Sequence, residues 1–293
     1  MPPNSYQQAA IDPDDETRDP KGCVMTEFRT IFLEKTSGVA KLTLNRPDSL
    51  NAINEHMLED LIVALEDISE DSSIRVLILT GAGRAFCAAA DIEDERRGGD
   101  RLMGHLSQRE IVEYTRRGPQ RIVHLLHWME KPTIAMVNGL AVGDGFDFAL
   151  ACDLRVGSTL ARFMNGYGGM GLVSGTGAPW FYPRLLGLSK ALELLYTGAW
   201  LEADEAHRLG LLNRLVPPDA LEVETMDLAQ RIAEQAPIPT QLVKGMVYRA
   251  LHQSLDEHLV EAAYIEAMLL TTEDHREALD AYLQHREPKF TCK

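Results

Sequence analysis

From Val39 to Leu44 apolar and polar positions alternate, the period-two signature of a strand. Asn45-Arg-Pro-Asp-Ser-Leu-Asn-Ala52 follows with turn chemistry, and from Asn54 the apolar residues Met57, Leu58, Leu61, Ile62, Leu65 and Ile68 recur at helical spacing. The succession repeats with a strand at 76–79, a glycine turn at Gly81-Ala-Gly83, and a polar segment 91–110 that continues into a helix reaching Met129. A third strand covers 133–137 and leads through a glycine-rich turn into an apolar segment at 146–151, and a fourth lies near 154–156. This alternation predicts an α/β fold with a largely parallel sheet. Beyond residue 220 the strand pattern stops, and 220–235, 239–253, 255–271 and 273–285 read as helices, the second opening at a proline. Residues 1–27 hold acidic residues and prolines in place of a packable pattern. The expected organisation is a disordered acidic tail over 1–27, an α/β core over 28–220 and a helical region over 221–293.

Composition narrows the function classes. Hydrophobic residues make up 45% and charged ones 25% of the 293 residues, as in an ordinary globular protein. The 44 acidic and 29 basic residues leave a net charge of −15, which disfavours binding to nucleic acid or to an anionic membrane surface. No apolar run approaches the ~18 residues of a membrane span, and the first residues lack a secretory pattern. Cys23, Cys87, Cys152 and Cys292 form no C-x-x-C pair. A cytoplasmic, reduced protein without a metal site is expected.

Several motifs bear on chemistry. Gly166-Tyr-Gly-Gly-Met-Gly171 matches the dinucleotide fingerprint in full and Gly81-Ala-Gly-Arg-Ala-Phe86 in part, yet neither opens a predicted helix directly after a strand. His124 and His127 share a helix face but have Leu125, Leu126 and Trp128 as neighbours, which favours packing over metal binding. Ser174 does not sit in a G-x-S-x-G elbow. What remains is a pair of turns, Ala85-Phe-Cys-Ala-Ala-Ala-Asp-Ile92 and Asn138-Gly-Leu-Ala-Val-Gly-Asp-Gly-Phe-Asp147. Each is built from small residues that let a ligand reach main-chain N–H groups, the requirement for an oxyanion hole.

With Leu44-Asn-Arg-Pro47, Leu50-Asn-Ala52, Lys131-Pro-Thr-Ile-Ala-Met-Val-Asn-Gly139, Cys152-Asp153, Tyr196-Thr-Gly198 and Arg286-Glu-Pro-Lys-Phe290, these turns make the chain resemble the enoyl-CoA hydratase/isomerase (crotonase) family from about residue 28 to its end. The resemblance implies a crotonase-like spiral of ββα units with a C-terminal helical trimerisation region, assembled as a homotrimer or a dimer of trimers. It implies an acyl-CoA substrate, with coenzyme A present only as part of that substrate and no separate cofactor. The backbone N–H groups of Ala90 and Asp144 would form the oxyanion hole. Ser49, Leu50, Arg84, Ala88, Asp91, Ile92 and Arg286 would hold the coenzyme A.

Two glutamates do the proton work in the family's hydratases, and here the positions read Asp147 and Tyr167. Asp144 stands where the second turn usually carries glycine, and Ala89 where the first does. Asp147, Asp144 and Tyr167 are therefore the candidate catalytic residues for hydration of a 2-enoyl-CoA. Gly171 to Gly187 looks closest to a branch of carbon–carbon bond hydrolases of cyclic β-diketones, whose catalytic positions fall on Gly145, Gly168 and Thr176. Such a hydrolase, or a CoA-ester-binding homologue without turnover, are the alternative readings. Trp180, Phe181 and Tyr182 are expected either to line an acyl pocket or to form helix core.

Overall fold

The computed structural model describes residues 17–18, 24–93 and 106–293 of the chain. Among these residues the strands form two sheets. The larger runs in the order β1 (Thr17–Arg18), β2 (Val24–Glu27), β3 (Ile31–Thr36), β4 (Val39–Leu44), β5 (Val76–Gly81), β7 (Thr133–Val137), β9 (Leu154–Ser158), β12 (Arg214–Val216). The first four pair antiparallel and the rest parallel. All six residues of β5 and all five of β7 are buried, as parallel strands covered on both faces must be. The smaller sheet runs β11 (Leu201–Glu202), β10 (Arg162–Met164), β8 (Leu140–Val142), β6 (Ala85–Ala88).

The helix predicted from Asn54 is α1 (Glu55–Glu70), with the Asn54 side chain capping the N–H of Met57 at 3.0 Å. It buries Met57, Leu58, Leu61, Leu65 and Ile68 in the main core. The long helix expected up to Met129 is two helices, α2 (Gln108–Arg117) and α3 (Pro119–Trp128), because Gly118-Pro119 interrupts the ladder. The stretch 94–105 of the polar segment lies outside the described residues. The glycine-rich turn hides the strand β8 before α4 (Asp144–Ala151) opens. Then follow α5 (Ala178–Leu186), α6 (Leu188–Thr197), α7 (Ala203–Arg208), α8 (Leu221–Ala233), α9 (Pro237–Ala250), α10 (Leu255–Leu269) and α11 (Glu273–Leu283).

Two expected boundaries shift. The sheet begins inside the supposed tail, since β2 pairs with β3 from Val24 onwards, while 1–16 and 19–23 lie outside the described residues. The helical region does not start at 221 as an appendix. Helix α8 covers the outer face of the large sheet, where Leu221, Ala229 and Ala233 bury a second core against Val39, Val76, Ile78, Ile134 and Val156. A parallel sheet needs that cover, so α8 belongs to the core. Among the described residues no helix is long and apolar enough to cross a membrane.

Small residues bring α4 against β6. A Cβ on Gly145 would overlap the Cys87 carbonyl oxygen and side chain. Glycine to alanine within a helix ordinarily gains about 1 kcal/mol; here Gly145→Ala is expected to cost about 1–3 kcal/mol through overpacking, read by urea denaturation. A gain in stability would contradict the close approach.

Candidate active site

The site grows from the parallel pairing of β6 and β8. Their register puts Ala88 opposite Val142 after a one-residue irregularity between Ala85 and Cys87. Two residues further on, Ala90 and Asp144 stand side by side at the ends of adjacent strands, where neighbouring backbones run about 4.8 Å apart. Ala90 bridges Ile53, and that pairing uses the flanking groups: Ile53 N–H donates to Ala89 O at 2.8 Å and Asp91 N–H to Ile53 O at 2.9 Å. The N–H of Ala90 consequently faces the other way, towards the β8 side. Asp144 is the first residue of α4, so its N–H belongs to the helix-start donors that have no intrahelical acceptor.

The residues before these two share a left-handed turn. Gly143 has φ +53° and Ala89 φ +65°, and a Cβ on Gly143 would lie 2.9 Å from that of Ala89. Glycine is required at 143 on both counts. The supporting loop is fastened by amides: Asn51 Nδ2 donates to the carbonyls of Ala82 (2.9 Å) and Ala85 (2.8 Å), and Asn138 Nδ2 to those of Gly81 (2.8 Å) and Gly83 (2.9 Å).

Beside the two amides lies a carboxyl pair under a net of hydroxyls. Tyr167 Oη donates to Asp144 Oδ1 at 2.7 Å, and lies 3.2 Å from Asp147 Oδ2 and 2.8 Å from Thr176 Oγ1. Thr176 Oγ1 reaches Asp147 Oδ2 at 2.5 Å and Asp144 Oδ1 at 3.0 Å. Ser174 Oγ donates to Asp147 Oδ2 at 2.6 Å. Asp147 is fully buried, and its Oδ1 has no hydrogen-bond partner among the described residues. Burial, then the neighbouring Asp144 charge, push its carboxyl up to about 7 against the pull of the hydroxyl donors. Burial and the two aspartates also hold the Tyr167 phenol far above its ordinary range. Asp144 turns its carboxylate to Tyr167 and Thr176, which holds it off its own amide.

The structure thus brings Asp144, Asp147, Tyr167 and Ala90 together. Around the same strand ends it gathers Ser49, Leu50, Ala88 and Asp91: Ala88 N–H donates to Leu50 O at 3.1 Å, and Arg46 pairs with Asp91 at 2.7 Å. Arg84 and Ile92 are exposed on that edge. Arg286 lies past α11 with its guanidinium fixed on Glu277 at 2.6 and 2.8 Å, so its charge is already matched. Phe181 and Tyr182 are core, while Trp180 stays partly exposed beneath Arg184. His127 is packed among Trp128, Trp180, Phe181 and Tyr248. The fingerprint at Gly166–Gly171 forms only a short 3-10 turn that presents Tyr167.

Sequence reasoning tested Ser174 only as a nucleophile and took Thr176 only as a position in another branch. The available signal was a helix start, two hydroxyl residues just ahead of Ala178-Pro179. Such an arrangement of dipoles and exchangeable protons is suited to stabilising negative charge on a ligand oxygen while moving a proton next to it.

The chain matches a known family over most of its length. The enoyl-CoA hydratase/isomerase family profile matches residues 34–293. A crotonyl-CoA hydratase of Syntrophomonas wolfei is 34% identical over 91% of this chain and 99% of its own length. The 1,2-epoxyphenylacetyl-CoA isomerase of Escherichia coli K12 is also 34% identical, over 92% of this chain and all of its own. The crystal structure of an enoyl-CoA hydratase from Bacillus anthracis superposes with a TM-score of 0.83 at 31% identity, covering 90% of this chain and all of that one. These matches place the chain in the enoyl-CoA hydratase/isomerase family, as an enzyme with the crotonase fold.

Proposed function

We propose that the chain hydrates a 2-enoyl-CoA. The observation that carries this reading is the pair Asp144 and Asp147, joined through Tyr167 and Thr176 immediately beside two adjacent backbone amides. Hydration forms a C3–O bond and a C2–H bond and breaks one O–H bond of water and the C2=C3 π bond. Asp144, at the margin of the buried cluster, takes the proton from water. Asp147, which keeps its proton to about pH 7 because burial disfavours its charge, supplies one for C2. Between turnovers the Tyr167 and Thr176 hydroxyls, which touch both carboxyls, return the proton from Asp144 to Asp147 at Oδ2, and a flip of the carboxyl turns the protonated oxygen to the open Oδ1 side. Negative charge grows on the thioester oxygen and is met by the N–H groups of Ala90 and Asp144, each worth about 3–4 kcal/mol in a water-poor site. The coenzyme A lies along Ser49, Leu50, Ala88, Asp91 and Ile92, with Arg84 towards its phosphates.

A second reading, double-bond isomerisation, is favoured by one feature. Asp147 Oδ2 is fully engaged by hydroxyls and only Oδ1 is without a protein partner, which suits one carboxyl passing a proton between two carbons. Self-association through α9 and α10 belongs to the proposal, supported by the exposed Val243, Val247, Leu255, Leu259 and Tyr264.

Incubation with a short 2-enoyl-CoA is expected to bleach the conjugated thioester absorbance as the 3-hydroxyacyl-CoA forms. Asp147→Asn and Asp144→Asn should each slow this by about a hundredfold or more with the fold intact. Conjugation gained from a 3-enoyl-CoA, without hydration, would select the isomerase reading, and unchanged rates in both variants would remove the carboxyl pair from the chemistry.

The proton on Asp147 has a readout in stability. Its carboxyl titrates near 3.8 when unfolded and at about 7 when folded, so between those values only the folded state holds the proton. Raising the pH through that window therefore removes stability, at up to about 1.4 kcal/mol per unit. Measured by urea denaturation, the stability of the native sequence relative to Asp147→Asn should fall across the window and level off above it. A flat or rising difference would mean an ionised Asp147.

A further inference from the structure

The hydroxyl of Ser174 stands in a different position from its two neighbours. Its oxygen accepts the N–H groups of Thr176 (3.2 Å) and Gly177 (3.0 Å), which lead into α5, and of Ala178 (3.0 Å), the first residue of that helix. Gly177, the residue before that helix, has no side chain with which to cap it. With its lone pairs facing three donors, Ser174 has one proton, and Asp147 Oδ2 at 2.6 Å is a far nearer acceptor for it than Thr176 Oγ1 at 3.4 Å. Tyr167 and Thr176 differ, because each touches both carboxyls and can swing between them. The partial positive charge of the α5 N-terminus is thereby passed through one hydroxyl to one oxygen of one carboxyl.

Resting on the hydration reading, we propose that Ser174 is a positioning residue that keeps Asp147 Oδ2 as the hydrogen-bond-accepting oxygen and so places the exchangeable proton of Asp147 on Oδ1. An oxygen receiving the Ser174 proton together with a second hydroxyl does not also carry the acidic proton at low cost. Oδ1, buried without a protein partner, is the oxygen left to hold it and to give it up. The groups facing Asp147 are Asp144 on its own helix, Tyr167 ahead of the 3-10 turn, Ser174 and Thr176 in the following loop, Tyr182 on α5, and Cys87 on β6 behind Gly145. Helix α3 also packs on this helix and brings His127, which lies against Trp180 and Phe181 of α5.

The test reads the Asp147 proton directly and needs no turnover. The carboxyl C=O stretch of the full-length protein is followed by infrared spectroscopy against pH, with Asp147→Asn to assign the band. Loss of the Ser174 hydrogen bond in Ser174→Ala should move the midpoint upward by about one unit and shift the band, whereas Ser174→Thr should leave both near their native positions. Ser174→Cys, close in size and a weaker donor, should move the midpoint the same way and carries the test where the alanine variant folds poorly. If Ser174 served only to shape the loop, its loss would admit water and lower the midpoint. A lowered or unmoved midpoint, or an equal shift in Ser174→Thr, overturns the proposal. Should the protein fail to hydrate any enoyl-CoA while the midpoint moves as expected, the hydration reading falls and the role of Ser174 towards Asp147 stands.

Discussion

The site depends on one constraint, the parallel pairing of β6 with β8 in a register that ends both strands level. Both strands reach the main core, β6 through Phe86 and Cys87 and β8 through Ala141. Their side chains are mostly small, and their value lies in how closely the backbones come together. Gly81, Gly139 and Gly145 each occupy a place where a Cβ would strike the backbone of the 84–87 segment. Asn51 and Asn138 tie the carbonyls of Gly81, Ala82, Gly83 and Ala85, which lead into and open that segment. What results is a fixed pair of amide dipoles at the strand ends, oriented before any ligand arrives, which is the condition under which such dipoles act most strongly on developing charge.

The carboxyl pair shows the opposite economy. Asp147 is the kind of group that burial should neutralise, and the hydroxyls gathered on one of its oxygens, Ser174 foremost, work against that tendency. Desolvation wins, leaving a titration near neutrality in place of either a permanent charge or a permanent acid. The balance is set by α4 on one side and by the loop that starts α5 on the other. Distances that look like local packing between two helices are therefore also the terms that set a protonation state.

The sequence made the elements with strong periodicity legible. The alternation at Val39–Leu44 and the stripe from Met57 to Ile68 both report burial against one face, and both became the expected strand and helix. β6 and β8 escaped because a strand of small residues carries no period-two contrast, and what defines it is a neighbour distant in sequence. The Gly118-Pro119 break escaped because apolar periodicity continued across it. The assignment of α8 to a separate region failed because its buried face, Leu221, Ala229 and Ala233, is defined only once the sheet beneath it is in place. Among the candidate residues, Asp147, Asp144 and Tyr167 were proposed through resemblance. Ser174 and Thr176 were not, since a hydroxyl that caps a helix and binds a carboxylate looks, in sequence, like any loop serine or threonine.

The central claim is that the N–H groups of Ala90 and Asp144 act together on a thioester oxygen. The most direct measurement is the carbonyl stretch of a short 2-enoyl-CoA, carbon-13-labelled at the thioester carbonyl, bound to the Asp147→Asn variant so that it is not consumed. Two aligned donors predict a clear move of that band to lower frequency relative to the free thioester. A bound ligand with an unshifted carbonyl would contradict the account.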